Sequence, residues 1–298
     1  MAKTVVIGGA SGFLGRHLSA ALVERGHAVV ALTRRSTSAP DESAWDPYAG
    51  VYDRDVIERA DVVVNLAGSP TIGNPHSGSW ARNLRESRLT TTRLLAEAIA
   101  GSERRPAYLA GNAVAWYGDH GEEELTEASD SRGDSFMTTL TRDWQEAAGP
   151  AVGAGARVCF LRTSPVMDRT AAPLKQLRLL FKAGLGGRIG SGRQRMPMIS
   201  LRDWVGGVAH LVDHETVSGP VNLCSSQTPT NAEFTEALAR ALDRKALLPA
   251  PAFAVRLGAG RVAGEVLGSM NLRPAVLEAS GYDFRDRTVH EVVRTALT

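Results

Sequence analysis

Residues 4–15 read Thr-Val-Val-Ile-Gly-Gly-Ala-Ser-Gly-Phe-Leu-Gly, and this stretch decides the fold. An apolar run typical of a buried strand leads into three glycines spaced three residues apart, Gly9, Gly12 and Gly15. A helical pattern of leucines follows them directly. The order strand, glycine-rich turn and helix, at the very beginning of the chain, predicts the first unit of a nucleotide-binding α/β domain.

Each glycine has a physical reason in such a turn. One makes the tight turn, one lets the backbone approach a pyrophosphate, and one lets the helix pack closely on the strand. The first helical turn, which includes Phe13 and Leu14, then offers N–H groups and a partial positive charge to the phosphates. The pattern therefore predicts a dinucleotide site. The alternative is a glycine-rich turn in another kind of α/β domain.

The second predicted strand, residues 28–33, indicates which dinucleotide is bound. An NAD site usually ends this strand with an acid that binds the ribose 2′-hydroxyl, whereas here the strand ends in Thr33-Arg34-Arg35. Because guanidinium groups bond phosphate oxygens in a fork geometry, these residues favour NADP over NAD. The alternative is two arginines on a solvated loop.

The composition narrows the class of protein. The 298 residues are 43% hydrophobic and 22% charged, with a net charge of +2 and no long basic block, so nucleic acid is not predicted as a partner. With no apolar run of transmembrane length and no signal-peptide pattern, we expect a cytoplasmic protein with no membrane partner. Cys159 and Cys224 are predicted to be buried free thiols. No cluster has metal-ligand spacing.

Strand and helix patterns alternate through the first half of the chain. This alternation predicts a Rossmann fold, a doubly wound parallel sheet with helices on both faces and its cofactor site at the carboxyl ends of the strands. The second half is less regular. Five glycines lie between residues 184 and 192, Asn231 is predicted to cap a helix that ends near residue 242, and residues 248–251 read as a linker.

Six motifs, spread along the whole chain, carry a family resemblance. They are Gly-Gly-Ala-Ser-Gly-Phe-Leu-Gly-Arg (8–16), Asn-Leu-Ala-Gly (65–68), Trp-Tyr-Gly (116–118), Leu-Arg-Thr (161–163), Leu-Leu-Pro-Ala-Pro-Ala-Phe (247–253) and Ser-Gly-Tyr-Asp-Phe (280–284). Together they resemble the extended short-chain dehydrogenase/reductases, the group of the nucleotide-sugar epimerases and dehydratases. The resemblance narrows to an atypical branch, the NAD-dependent epimerase/dehydratase-like family, sometimes labelled cell-division inhibitor.

The resemblance implies a division into two domains. An NADP-binding Rossmann domain would span residues 1–166, with 198–224 returning to it. A smaller α/β substrate domain would comprise 167–197 and 225–298. By family analogy, a homodimer would form through the long helices near 80–99 and 135–148.

The resemblance also assigns cofactor contacts. Thr33 and Arg34 would hold the adenosine phosphate. Arg88 would reach the cofactor from a long helix, although a surface helix charge explains this residue equally well. The remaining contacts follow two strand ends. They are Leu66, Ala67 and Gly68 beside the ribose and pyrophosphate, and Val166 beside the nicotinamide.

Most of this superfamily uses a tyrosine, a lysine four residues later and a hydroxyl residue. The ammonium lowers the tyrosine pKa from its ordinary value of about 10, so that the hydroxyl exchanges a proton near neutral pH. Alignment of the family helix places Met137 and Thr141 at the two positions of the pair, and Asn112 at the hydroxyl position. Asparagine donates a hydrogen bond to an oxyanion but does not relay a proton.

Tyr117 is the surviving candidate acid. With no cationic partner, its pKa is expected to stay high, which suits proton donation in a reduction. The alternative is a structural tyrosine packed against Trp116. We therefore expect an NADP(H)-dependent oxidoreductase that reduces a small carbonyl or imine substrate, with Asn112 bonding the reacting atom. The alternative is an NADP(H) sensor or scaffold without turnover.

Overall fold

The computed structural model describes residues 1–246 and 249–298. The strands, in chain order, are β1 (Thr4–Gly8), β2 (Ala28–Thr33), β3 (Glu42–Ala44), β4 (Val62–Asn65), β5 (Ala107–Ala113), β6 (Glu124–Leu125), β7 (Val158–Thr163), β8 (Val166–Met167), β9 (Ile199–Ser200), β10 (Gly219–Leu223) and β11 (Asn271–Leu272).

The helices, in the same order, are α1 (Phe13–Glu24), α2 (Arg54–Arg59), α3 (Gly78–Ala100), α4 (Phe136–Glu146), α5 (Gly149–Gly153), α6 (Ala172–Lys182), α7 (Leu201–Asp213), α8 (Asn231–Ala241), α9 (Ala252–Ala259), α10 (Ala263–Leu267), α11 (Ala275–Ala279) and α12 (Val289–Leu297). Short 3-10 turns cover Val114–Trp116 and Gly260–Val262.

Seven strands form one parallel sheet in the order β10-β7-β5-β4-β1-β2-β3. The chain moves outward from β1 through β2 to β3, and then crosses back to β4 on the other side of β1. This reversal creates a crevice at the carboxyl ends of β1 and β4, which is where open α/β sheets bind ligands. The predicted Rossmann fold is confirmed.

Both faces of the sheet are buried, as the alternation along β1 shows. Val5 and Ile7 point into one apolar cluster and Val6 into a second one, and all three are fully buried. Leu18 of α1 and Trp204 of α7 belong to the first cluster, while α3 and α5 cover the second. Because neither face meets water, the strands read as apolar runs rather than as alternating patterns.

A third apolar cluster lies outside the main sheet. Helices α6, α8 and α12 enclose it and contribute Phe181, Leu238 and Val292. Two small parallel sheets, β8 with β9 and β6 with β11, join the C-terminal part to the rest. The segment 198–224 supplies both β9 of a small sheet and β10 at the edge of the main sheet. The proposed domain boundaries remain a prediction.

The cap predicted at Asn231 is wrong by one residue. Thr230 is the N-cap of α8, and its hydroxyl accepts from the Glu233 N–H while the Glu233 carboxylate accepts from the Thr230 N–H. The Asn231 side chain instead accepts from the Ile189 N–H at 2.7 Å. In the predicted linker, Leu248 lies outside the described residues, and Pro251 is the N-cap of α9.

Cys159 and Cys224 are buried free thiols, as predicted. Burial raises the pKa of the Cys159 thiol to about 11, which keeps it protonated and unreactive. Within residues 1–246 and 249–298, no group of histidine, cysteine and carboxylate side chains is placed to hold a metal ion. In the same part of the chain, no helix combines the length and apolar character that a bilayer crossing requires.

Candidate functional site

The glycine turn leaves no room for side chains at two of its positions. Gly9 has a positive φ of 83°, and a Cβ there would lie 2.7 Å from the carbonyl group of Leu66. A Cβ on Gly15 would lie 2.2 Å from the Gly9 oxygen. Gly12 closes the turn, since its N–H donates to the same oxygen at 2.9 Å. The turn therefore brings α1 directly against the end of β1.

Helix α1 begins without a side-chain cap among the described residues, because its N-cap is Gly12. The Arg16 N–H makes the first intrahelical bond, to the Gly12 oxygen at 3.0 Å. The N–H groups of Phe13, Leu14 and Gly15 precede this bond and lack an acceptor within the helix. These free N–H groups and the positive end of the helix dipole lie at the carboxyl edge of the sheet, an arrangement that suits an anion.

The basic segment after β2 is arranged differently from the prediction. Thr33 ends the strand, and both arginines are exposed, but Arg35 forms an ion pair with Glu42 of β3 at 2.7 Å between Nη2 and Oε1. Hydrogen bonds from Thr37 and Arg35 lower the pKa of the Glu42 carboxyl. Among the described residues, Arg34 has no ion-pair partner. Arg34 is thus the more available of the two guanidinium groups.

The loop after β4 forms the other wall of the crevice. Leu66 and Ala67 are half-buried and Gly68 is exposed, and the Leu66 backbone abuts Gly9 across the crevice. Asn65, the last residue of β4, fixes the loop because its side-chain oxygen accepts from the Ala67 N–H at 3.1 Å. The predicted phosphate-binding and ribose-binding segments therefore face each other.

Arg88 reaches this loop from α3. Its Nη1 donates to the carbonyl oxygens of Ser69 at 3.2 Å and Leu84 at 3.1 Å, and its guanidinium lies 5.1 Å from the centre of the Trp144 ring. Burial lowers the pKa of Arg88 to about 10. Arg88 is therefore an anchor of the loop rather than a solvated surface charge, and its direct contact with a cofactor stays a prediction.

Val166 begins β8, just beyond the carboxyl end of β7. It is buried and pairs with Ile199 of β9. After it, Asp168 accepts from the Thr170 N–H at 2.7 Å in a short polar turn. Val166 remains a predicted neighbour of the nicotinamide.

Neither predicted catalytic side chain is open to solvent, since Tyr117 is 0% and Asn112 is 3% exposed. The Tyr117 hydroxyl donates to Asn222 Oδ1 at 2.7 Å, and its ring packs edge-on against Trp116. The Asn112 amide donates to the Thr141 carbonyl at 3.2 Å, and its oxygen accepts from the next backbone N–H. These contacts favour the structural alternative for Tyr117, and they also engage the Asn112 side chain within the protein.

Arg162 of β7 is a buried cation beside Tyr117 that was not predicted from the sequence. It is 1% exposed, and its guanidinium lies 3.5 Å from the centre of the Trp116 ring and 4.8 Å from that of Tyr117. The prediction that Tyr117 has no cationic partner is therefore wrong. Burial nevertheless raises the pKa of Tyr117 to about 12, against the opposing effect of Arg162. The available signal was one charged residue within an apolar strand run.

Helix α4 carries the positions at which the resemblance places the tyrosine and the lysine. Neither Met137 nor Thr141 has an ionisable side chain, and the Thr141 hydroxyl donates to the Met137 carbonyl at 2.9 Å. A carboxyl does reach this helix from far along the chain, because Ser135, the N-cap of α4, donates to Glu265 of α10. The two residues are 130 positions apart, and no local pattern connects them.

Comparison with known families decides the affiliation. The model of the NAD dependent epimerase/dehydratase family matches residues 5–224. The chain belongs to this family. A second model, described as a domain of unknown function (DUF1731), matches residues 250–296. The family resemblance inferred from the sequence motifs is thereby confirmed.

Individual relatives of this epimerase-family chain cover nearly all of it. "Epimerase family protein ML0860" of Mycobacterium leprae is 39% identical over 295 residues, which are 99% of this chain and 95% of that protein. "Epimerase family protein SDR39U1" of Bos taurus is 35% identical over 94% of this chain and 95% of that protein.

Solved structures agree with this affiliation. The crystal structure of the human epimerase family protein SDR39U1 (isoform 2) with NADPH has a TM-score of 0.85 at 30% identity, and the match covers 98% of each chain. UDP-N-acetylglucosamine 4-epimerase from Bacillus cereus has a TM-score of 0.76 at 18% identity, which is evidence of a shared fold alone.

Proposed function

We propose that this epimerase-family chain is an NADP(H)-dependent oxidoreductase that reduces a small carbonyl or imine substrate. The observation that carries the proposal is the glycine turn. A Cβ at Gly9 or Gly15 would fill the crevice between β1, α1 and the loop after β4. The backbone N–H groups at the uncapped start of α1 border the same crevice. A dinucleotide pyrophosphate fits such a cradle.

The chain's own residues divide the work of holding the cofactor. Thr33 and Arg34 would hold the 2′-phosphate, and Arg35 contributes there to the extent that its pair with Glu42 opens. The other proposed contacts are Gly9, Gly12, Phe13, Leu14 and Gly15 at the pyrophosphate, Leu66, Ala67 and Gly68 beside the ribose, Arg88 behind that loop, and Val166 beside the nicotinamide. The human relative with NADPH supports the choice of cofactor.

When bound, NADPH supplies a hydride, and the chain orients the substrate and provides a proton. Catalysis of this kind depends on holding the two reactants at reacting distance in a site that excludes water. The sequence favoured Tyr117 as the acid and Asn112 as the hydrogen-bond donor to the reacting atom. Both side chains are engaged in hydrogen bonds within the protein. We therefore expect another side chain of the site to donate the proton.

A second function, an NADP(H) sensor or scaffold without turnover, is favoured by one observation. The positions of the superfamily's tyrosine and lysine hold Met137 and Thr141, and the Thr141 hydroxyl bonds a carbonyl of its own helix. Such a protein would bind NADPH through the same crevice. It would not raise the rate of NADPH oxidation above the rate measured without protein.

Two measurements test the proposed function. By calorimetry, NADP(H) should bind more tightly than NAD(H), by about tenfold or more, because a charge-assisted hydrogen bond contributes roughly 1.5–3 kcal/mol. Arg34→Ala should remove most of this preference, whereas Arg54→Ala, an exposed arginine of α2, should preserve it. Equal affinity for the two cofactors in the native protein would contradict NADP(H) dependence.

Turnover is measured as NADPH oxidation with a panel of aldehydes, ketones and imines. Oxidation with any of them supports the reductase. Tight NADPH binding with no oxidation supports the sensor. Light scattering tests the proposed homodimer, which would use α3 and α4. The cytoplasmic location and the lack of nucleic-acid and membrane partners remain predictions from composition.

A further inference from the structure

The segment 260–268 packs against the loops that follow β4 and β5 at the carboxyl edge of the sheet. The Arg261 N–H donates to the Pro75 carbonyl at 3.4 Å, and a Cβ on Gly260 would lie 2.9 Å from the His76 ring. At the other end, the Ser269 N–H donates to Asp119 Oδ1 at 3.1 Å. Pro75 and His76 follow β4, and Asp119 follows β5. The segment is therefore held at two points of the edge where the proposed cofactor site lies.

Between these two points, α10 packs against the start of α4. A Cβ on Gly264 would lie 3.2 Å from the Ser135 Cβ. The next residue, Glu265, accepts a hydrogen bond from the Ser135 hydroxyl through Oε1. Ser135 lies two residues before Met137, and Met137 occupies the position of the superfamily's tyrosine. A carboxyl thus reaches the turn of α4 in which a proton donor is expected and the sequence shows a methionine.

The chemical state of this carboxyl suits a proton donor. Glu265 Oε2 is buried and has no hydrogen-bond partner among the described atoms. Burial raises the pKa of Glu265, and the Ser135 hydroxyl and the Met137 N–H oppose this effect. No charged group on the elements packed around α10 contributes to the shift. These groups are His76, Asp119, Arg256 of α9, Arg261 of the 3-10 turn, and Arg142, Asp143 and Glu146 of α4. One carboxyl oxygen is thus positioned by Ser135 while the other is left without a protein partner.

We infer that Glu265 donates the proton in the reduction, in the place that a tyrosine holds in most of the superfamily. The inference rests on the proposed function. The substrate carbon gains a hydride from NADPH, and its oxygen or nitrogen gains the proton of the Glu265 carboxyl. NADP⁺ and a Glu265 carboxylate remain, and water returns the proton after the product leaves. Ser135 is a positioning residue that fixes the carboxyl.

The competing explanation is that Glu265 only caps α4, since a carboxylate at a helix N-terminus is stabilising. A cap changes stability but does not sense the nicotinamide. A proton donor beside the ring does, because the cationic ring of NADP⁺ favours the carboxylate, and the neutral ring of NADPH does not. Binding of NADP⁺ should therefore release a proton from Glu265, and binding of NADPH should not.

The experiment compares proton release on binding of NADP⁺ and of NADPH, by calorimetry in buffers of different ionisation enthalpy between pH 5 and 8. The native protein should release more protons with NADP⁺ than with NADPH. Glu265→Gln, which keeps the size and the acceptor, should abolish this difference and still bind NADPH. Glu146→Gln, an exposed carboxyl at the other end of α4, is the matched control and should keep the difference.

The outcomes of this experiment distinguish a failure of the inference from a failure of the proposed function. An equal difference in Glu265→Gln and the native protein overturns the inference and leaves the proposed function standing. Absence of NADPH binding in the native protein overturns both. With any substrate from the panel, Glu265→Gln should lower kcat by about a hundredfold or more with little change in KM. A variant that loses stability but keeps kcat would show the carboxyl to be a cap.

Discussion

The glycine turn at Gly9–Gly15 and the polar cluster around Tyr117 stand at the same edge of one sheet but are built in different ways. The turn is made of backbone atoms within seven residues, and its shape follows from positions where a Cβ has no space. The cluster joins Tyr117, which follows a 3-10 turn, to side chains from two strands and a helix, and Tyr117 and Asn222 are separated by 105 residues. A site made from local backbone is fixed by its own short sequence, whereas a site made from distant side chains is fixed by the whole fold.

The largest effect should come from closing the glycine turn. In Gly15→Ala the new Cβ would lie 2.2 Å from the Gly9 oxygen, which is backbone and has little room to shift. We expect NADPH affinity to fall about a hundredfold or more, and the free energy of unfolding to fall by about 1–3 kcal/mol. Calorimetric titration and denaturant unfolding measure the two quantities.

Gly149→Ala is the matched control, because a Cβ there meets no atom within 4 Å. It should leave both NADPH affinity and stability nearly unchanged. Native-like NADPH binding by Gly15→Ala would show that the turn is not the cofactor cradle.

A substitution in the cluster around Tyr117 should lower the free energy of unfolding and leave the affinity for NADPH unchanged. Tyr117→Phe removes the hydrogen bond to Asn222 Oδ1 and leaves that buried oxygen without its partner, which costs about 1–3 kcal/mol. Urea unfolding should show this loss while calorimetry shows unchanged NADPH affinity. Tyr48→Phe, at an exposed tyrosine, should change neither. Lost turnover with native stability would restore Tyr117 as the acid.

The sequence predicted those parts of the fold that depend on local patterns. The strands β1, β4, β5 and β7 are buried on both faces and β2 is half-buried, so the apolar run of each strand was visible in the sequence. The two-residue strands β6, β8, β9 and β11 exist through distant pairing and carry little local signal. The cap of α8 was misplaced because Thr230 and Asn231 are both good cap residues, and the backbone angles decide between them.

The candidate site, like the fold, has some features that local sequence predicts and others that only the fold creates. The positions of the proposed cofactor contacts follow from strand ends and glycine spacing, which are visible in the local sequence. The surroundings of each side chain do not, since Arg35 meets Glu42 on the next strand and Glu265 meets Ser135 across 130 residues. No cation was predicted beside Tyr117, because Arg162 lies on β7 and is brought there only by the fold.

A smaller, pH-dependent effect should appear at Glu127, which borders the cluster. Its Oε1 accepts from the N–H groups of Asn222 at 3.0 Å and Val276 at 3.3 Å, and burial raises its pKa. A raised pKa in the folded state means that the stability it contributes is full below the unfolded pKa of about 4.3 and is lost as pH rises through the folded pKa.

Glu127→Gln keeps an acceptor oxygen and does not ionise. Its stability relative to the native protein should therefore increase as pH rises from about 4 to 7. Thermal unfolding at several pH values measures this difference. Glu86→Gln, an exposed carboxyl of α3, should show no such trend. A pH-independent difference for Glu127→Gln would mean that burial does not set the pKa of this carboxyl.

The smallest effect should come from Glu42, a side chain that modifies a predicted cofactor site otherwise made mostly of backbone atoms. Glu42 holds Arg35 in an exposed ion pair, and such pairs are weak because water and salt screen them. Glu42→Gln should release the guanidinium toward the 2′-phosphate, and should raise the preference for NADP(H) over NAD(H) by up to about fivefold. In the double variant with Arg35→Ala this gain should vanish, because the released group is then absent. A gain of equal size in the double variant would show that Glu42 acts by repelling the phosphate directly, and that Arg34 alone recognises it.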